Sequence, residues 1–330
     1  MILSVSRRTD IPALYSDWFM ERVAQGYVYV KNPFNAKQIS KVIIKPDVVD
    51  CIVFWTRNPK PIMKRLDELD ELGYQYYFQF TITPYKEDLE KNNPNKKEMI
   101  DAFIKLSQRI GKDRVILRYD PILITEEYID SYHKKAFSMI CEKLSSYTDK
   151  VIISFLDDYR KVSRNMKGQN LKELGHEHMI YITKSLVEIA NKYQLPIETC
   201  AEAINLEEYG VAHARCIDGD LIEKIIGYRI KRKDKLDANR QYCGCMKCVD
   251  IGQYDSCIHD CLYCYANVNK EKARLNYEAH DPKSPILLGI IDESLVKERK
   301  GKEVESFRIN DGKDVDNTEV QDIIRFPSSN

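Results

Sequence analysis

The stretch "CIVFWTRNPKPIMKRLDELDEL", residues 51–72, decides how the chain is read. A short, continuous apolar run is followed by a polar break and then by a helical pattern. The same unit recurs. "ILSVS" (2–6) precedes an amphipathic segment from Ala13 to Ala24, and "YQYYFQFTIT" (74–83) precedes a helix pattern ending near Ile110. "RVILRYD" (114–120) leads to a helix from about Glu126 to Ser145, and "KVIISFL" (150–156) to one from about Leu171 to Tyr193. "LPIETCAE" (195–202) precedes a helical stretch through "LIEKIIG". Strands that are apolar throughout belong to a parallel sheet covered by helices on its faces. Six such units in series predict an α/β sheet or barrel with right-handed crossovers.

Composition sets the outer bounds. The 330 residues are 43% hydrophobic and 31% charged, an ordinary globular balance with core enough for one large domain or two smaller ones. Lys and Arg number 51, Asp and Glu 51, so the net charge is zero. That argues against an extended footprint on duplex nucleic acid and leaves room only for a local basic groove. No apolar run approaches the ~20 residues that span a bilayer. "MILSVSRRTD" lacks the layout of a signal peptide, so a cytoplasmic protein without membrane attachment is expected.

Polar groups follow each strand where a glycine-rich phosphate loop would otherwise stand. Arg7, Arg8 and Asp10 follow the first, Arg57 and Asn58 the second, and Thr81 and Thr83 end the third. Arg118 and Asp120 end the fourth, Asp157 and Asp158 follow the fifth, and Glu198 and Glu202 flank Cys200 on the sixth. The carboxyl ends of parallel strands form the active face of such folds, so these residues are the expected lining of a polar cavity. Asp120 precedes Pro121, where a turn role competes with a chemical one. After about Lys231 the character changes. "KRKDK" reads as a linker, a cysteine-rich segment follows, and a polar tail from Lys297 is expected to be extended or disordered.

Ten cysteines need an explanation in a reducing compartment, where a disulfide framework does not persist. Cys51 and Cys141 stand alone among apolar neighbours and read as small buried hydrophobes. The other eight fall between positions 200 and 264. In "DSCIHDCLYCYAN" (255–267), Cys257, Cys261 and Cys264 form a compact tripod on one loop. Three thiolates so spaced can face one iron–sulfur cubane and leave one iron open to an exogenous ligand.

This spacing resembles the signature of the radical S-adenosylmethionine (SAM) superfamily. The resemblance implies a 4Fe–4S cluster on Cys257, Cys261 and Cys264, SAM chelated at the open iron, and Tyr263 beside the adenine. It also implies a (βα)6 partial TIM-like barrel, here residues 1–235, with 236–330 as the cluster-binding region and tail. A reductant such as flavodoxin or ferredoxin and an unidentified small-molecule substrate complete the expectation. The usual tripod follows the first strand, whereas "SVSRRTDIP" carries no cysteine and the tripod comes last. In this respect the whole chain resembles an uncharacterised family with a C-terminal cluster motif. "YFQFTITPY" and "VILRYDPI" are similar to segments of the spore photoproduct lyase branch.

If that resemblance holds, Glu198 or Glu202 would bind the SAM ammonium or ribose. Arg7, Arg57 or Arg118 would pair with its carboxylate or with an anionic substrate. Cys200, Cys216, Cys243, Cys245 and Cys248 remain. Four of them would complete a second 4Fe–4S cluster or a zinc site, the preferred set being Cys200, Cys216, Cys243 and Cys245. In the alternative, Cys200 and Cys216 are free thiols and Cys243, Cys245 and Cys248 bind metal by themselves. His259 lies inside the tripod loop and is expected to be exposed, although a contact near the cluster is the other possibility. "HEH" (176–178) is a poor metal pair, because i and i+2 on a helix face apart. Two other readings stay open: a non-catalytic zinc or iron–sulfur protein, and a lyase-like enzyme that repairs or modifies nucleic acid.

Overall fold

The computed structural model describes residues 1–157, 160–232, 242–301 and 304–309. Its strands are β1 (Ile2–Val5), β2 (Tyr27–Asn32), β3 (Asn35–Ile43), β4 (Cys51–Thr56), β5 (Tyr76–Thr81), β6 (Val115–Ile122), β7 (Val151–Phe155), β8 (Ile197–Thr199), β9 (Ala212–His213), β10 (Val249–Asp250) and β11 (Val296–Glu298). Its α-helices are α1 (Ile11–Leu14), α2 (Ser16–Gln25), α3 (Lys60–Met63), α4 (Leu66–Glu71), α5 (Lys96–Ile110), α6 (Asp130–Leu144), α7 (Arg160–Asn165), α8 (His176–Asn191), α9 (Gly219–Ile226) and α10 (Lys270–Glu278).

All six expected strands form, and they pair in parallel within one sheet of order β10-β1-β4-β5-β6-β7-β8-β9. The sheet is open, because β10 and β9 end it without pairing to each other. A small second sheet, β11-β3-β2, lies outside the six-unit reading. Its hairpin, in "YVYVKN" and "NAKQISKVI", pairs antiparallel between the first two units.

Alternation along each strand separates two cores. Outward residues such as Leu3, Ile52, Phe54, Phe78 and Leu117 pack under the helices. Phe54 stacks on Phe78 at 4.8 Å and meets Phe19 edge-on at 5.6 Å. Inward residues begin apolar: Ile2, Val53, Tyr77, Ile116 and Ile152 are sealed below by Ile217, Ile222 and Ile225 around α9. Two residues further along, the same face turns polar, with Ser4, Gln79, Arg118, Ser154 and Cys200. The floor is therefore greasy and the carboxyl end is a chemical surface.

Two local devices set the helices over this frame. Asn95 caps α5 through the Glu98 N–H at 2.9 Å and bonds back to the Glu98 carboxylate, a reciprocal cap. Gly26 closes α2 at φ 73°, a left-handed turn that glycine adopts without penalty.

The expected tail is partly ordered. Val296–Glu298 pairs with β3, and Phe307 is buried, its N–H donating to Asp50 at 2.7 Å. Asp158, most of "KRKDK", the boundary at 235 and residues 310–330 lie outside the described residues. Beyond that boundary, β10 adds directly to β1.

Candidate functional site

A cavity of about 340 Å³ opens at the carboxyl ends of the strands. Seven cysteines line it, Cys257, Cys261 and Cys264 on one side and Cys200, Cys216, Cys243 and Cys245 on the other. Arg7, Arg8, Asp10, Arg57, Thr81, Arg118, Asp120, Asp157 and Glu202 also face it, so most of the expected lining is there.

The tripod loop comes late in sequence but is docked on the first units of the sheet. Asp10 is the joint. Its Oδ1 caps α1 by accepting the Ala13 N–H at 3.0 Å, while Oδ2 accepts the Arg57 N–H at 2.7 Å and lies 2.9 Å from His259 Nε2. The Tyr15 hydroxyl donates to the Ser256 carbonyl at 2.5 Å, and the Tyr265 hydroxyl to the Arg7 carbonyl at 2.7 Å. From the third unit, Asn92 bonds the His259 and Ile258 carbonyls, and Leu262 N–H reaches the Leu89 carbonyl. His259 is accordingly buried, against the expectation of an exposed side chain, because Asp10 gives its ring a polar partner inside.

Two of the tripod sulfurs receive a hydrogen bond from the protein. Ala266 N–H donates to Cys264 Sγ at 3.3 Å and Asn93 Nδ2 to Cys261 Sγ at 3.5 Å. Burial holds Cys257 strongly toward the neutral thiol, with Cys264 and Asp10 adding to the effect. Burial also pushes Cys261 up to about 12, although the nearby Arg57 guanidinium pulls the other way. A soft cation would displace these protons, since the metal ligand is the thiolate. Among the described residues, no group of three or more His, Cys, Asp or Glu side chains is already gathered as the shell of a metal ion.

Tyr263 is held rigidly at the cavity edge. Its ring meets Tyr85 edge-on at 5.4 Å, and its hydroxyl bonds the buried Glu90 carboxylate and Arg57 Nη2, the latter at 2.8 Å. Arg57 Nη1 donates to Glu90 at 2.9 Å and to Thr83 at 3.1 Å, and Lys96 closes the network on the other Glu90 oxygen. Burial alone would raise the Glu90 carboxyl, but Arg57 and Lys96 outweigh it and hold it at about 2. Arg57 therefore spends its fork on Glu90, Thr83 and Tyr263, where a SAM or substrate carboxylate was expected. Its job here is to brace the tripod loop.

On the opposite wall, Arg118 pairs with Asp120 at 2.6 Å and donates to Cys216 Sγ at 2.9 Å. Its guanidinium lies 5.3 Å from the centre of the Trp55 ring, and that of Arg7 lies 5.6 Å away. Glu202 accepts the Phe155 N–H at 2.8 Å, and burial, reinforced by Asp157 and Cys200, pushes its carboxyl up to about 7.

Two expected site residues fall away from this cavity. Glu198 does not line it. The side chain faces inward one layer lower and pairs with Lys150 at 2.9 Å, beside Asp218. Alternation puts Glu198 and Cys200 on one face, but two residues of rise keep Glu198 below the mouth. Cys248 accepts from Arg7 Nη2 at 3.3 Å and faces an adjoining groove instead.

Sequence reasoning missed Trp55, Glu90 and Asn93. Trp55 sat inside an apolar run, where only its inward parity marked it. Glu90 and Asn93 lie in "KEDLEKNNPN", a polar stretch without periodicity, and offered no signal.

The model of a family described as a domain of unknown function (DUF1848) matches residues 2–266, and the chain belongs to this family. No curated protein matches it.

Proposed function

We propose that this DUF1848 member is a radical SAM enzyme whose open parallel sheet serves as a (βα)6-type partial barrel. The observation that carries the reading is the tripod itself. Three soft donors on one loop, two of their sulfurs supplied with a hydrogen bond, face a cavity that already contains Tyr263. Hydrogen bonds of this kind orient metal-bound thiolates and spread their charge. A cubane distributes three protein thiolates over separate irons and leaves the fourth iron open, which suits three cysteines on one loop.

Cys257, Cys261 and Cys264 would hold a 4Fe–4S cluster, and the cavity beside Tyr263 would take SAM. When bound and reduced, this pair supplies a 5′-deoxyadenosyl radical for hydrogen abstraction. The chain's own contribution is placement. Asp10, Tyr15 and Tyr265 dock the loop, and the Arg57–Glu90 pair fixes the Tyr263 ring. Arg7 puts cationic charge on the cavity wall, fit for a carboxylate, while Arg118 stays with Asp120 and Cys216. Glu202 offers a carboxyl that can accept from an ammonium or a ribose hydroxyl. The apolar floor under the cavity excludes water from below. A flavodoxin- or ferredoxin-type reductant, a cytoplasmic setting and a small-molecule substrate belong to the same reading.

The test is anaerobic reconstitution with iron and sulfide, then SAM and dithionite, with 5′-deoxyadenosine quantified by chromatography. Nucleoside from the parent and none from Cys261→Ala supports the proposal. A fully loaded parent that makes no more nucleoside than the variant defeats it.

A further inference from the structure

Cys200, Cys216, Cys243 and Cys245 come from three separate stretches: the end of β8, the loop before α9, and "CGCMKC". In the folded chain all four line one wall of the cavity. Cys200 Sγ lies 3.3 Å from Cys216 Sγ. Cys245 Sγ accepts the N–H of Ile217, the residue after Cys216, and Cys243 stands two residues before Cys245. Cys216 and Cys245 are buried, and Cys200 and Cys243 half-buried.

Simple packing does not account for this. Cys51 and Cys141 show what a packing cysteine looks like here, each buried singly in an apolar core. The four-cysteine group is instead furnished with donors aimed at sulfur. Arg118 Nη1 stands 2.9 Å from Cys216 Sγ, and Ile217 N–H donates to Cys245 Sγ at 3.4 Å. The Tyr77 hydroxyl and Gln79 amide hold the Cys216 carbonyl at 2.7 and 2.9 Å, which fixes the loop that carries the sulfur. A buried guanidinium gains little from a neutral thiol, whereas beside thiolates it offsets the accumulated negative charge.

We propose that Cys200, Cys216, Cys243 and Cys245 form a second, closed metal centre of four thiolates, filled by Zn²⁺ or by an iron–sulfur cluster. Four protein ligands leave no open position, so the centre braces the wall of the cavity or passes electrons and does not bind substrate. Loading exchanges protons for metal: each thiol releases its proton to solvent as its sulfur becomes a ligand; Zn²⁺ enters without a change of oxidation state, whereas a 4Fe–4S core draws two of its four irons from ferric salt supplied with the ferrous iron and sulfide. Cys248 stays outside, since its sulfur takes the Arg7 contact and faces the adjoining groove. This set is independent of the tripod and stands whether or not the chain cleaves SAM.

The test uses the full chain with Cys257, Cys261 and Cys264 all replaced by Ala. It is loaded anaerobically in two arms, one with Zn²⁺ and one with iron and sulfide, and metal is counted per chain. About one zinc or about four irons are expected, lost on adding Cys216→Ser and kept on adding Cys248→Ser. No bound metal in either arm overturns the proposal, as does binding that survives Cys216→Ser or fails with Cys248→Ser. Because a variant can misfold, the unmodified chain provides a second measurement. After loading, alkylation read by mass spectrometry should spare the four named cysteines and label Cys248. Labelling of Cys200 and Cys216 at the rate of the unloaded chain also overturns the proposal.

Discussion

Glu90→Gln is the sharpest probe of how the tripod loop is held. The substitution keeps size and shape but removes the carboxylate that Arg57, Lys96, Thr83 and Tyr263 share. Glu90 is 2% exposed, so almost no water can replace it. Breaking a buried pair by deleting one partner costs about 3–5 kcal/mol. The Lys96 side chain is 33% exposed and can turn to solvent, which places the expected loss near the lower end. A second route agrees. Holding the carboxyl at about 2 against an ordinary 4.5 is worth ~3 kcal/mol.

The sign follows from the direction of that shift. With the folded value lowered, the stabilisation is complete above about 4.5 and disappears as pH falls through about 2. Urea melts of the metal-free protein should show a lower midpoint for the variant at pH 7 with an unchanged slope. The gap between parent and variant should close as the buffer is taken below pH 4.5. A difference below ~1 kcal/mol at pH 7, the range of a solvated pair, refutes the reasoning.

Asp10→Ala removes the cap of α1 and the partner of His259 together, a loss of ~2 kcal/mol. Because the same carboxylate docks the tripod loop through its other oxygen, iron retained after reconstitution should fall in step, measured against the parent. Burial pushes the His133 imidazole below its usual value of 6.5, so its neutral form stabilises the fold above that pH and the benefit fades on acidification. His133→Gln should therefore lose less stability than the parent between pH 7.5 and about 5.5, by urea midpoint. Phe54→Ala empties the space against Phe78 and Phe19 and should cost about 3–5 kcal/mol by the same melts. A cost under 1 kcal/mol would mean that this core collapses freely.

The strand–helix units were readable because parallel strands buried on both faces leave long apolar runs that nothing else in the chain imitates. The hairpin of β2 and β3 was not, since its polar, half-exposed residues resemble an ordinary connection. β10 and β11 are two and three residues long, too short for any periodicity. At the cavity, parity and position sufficed for Arg118, Asp120 and Glu202, which end inward-facing rows. They failed for Glu198, which shares the face but not the level. The cysteines of "CGCMKC" illustrate the limit of spacing. Only the folded path of the chain shows that Cys245 shares a wall with Cys216 while Cys248 turns to Arg7. Arg57 is the reverse case: its place at a strand end was legible, but its partner Glu90 lies in a stretch without pattern, so its bracing role was not.

The most direct measurement is low-temperature electron paramagnetic resonance of the chain carrying Cys200→Ser and Cys216→Ser, reconstituted with iron and sulfide and reduced with dithionite. Spectra are taken before and after SAM is added. The account predicts a reduced 4Fe–4S signal that shifts when SAM binds the cluster and vanishes in Cys261→Ala. A signal indifferent to SAM, or one that persists without Cys261, contradicts it.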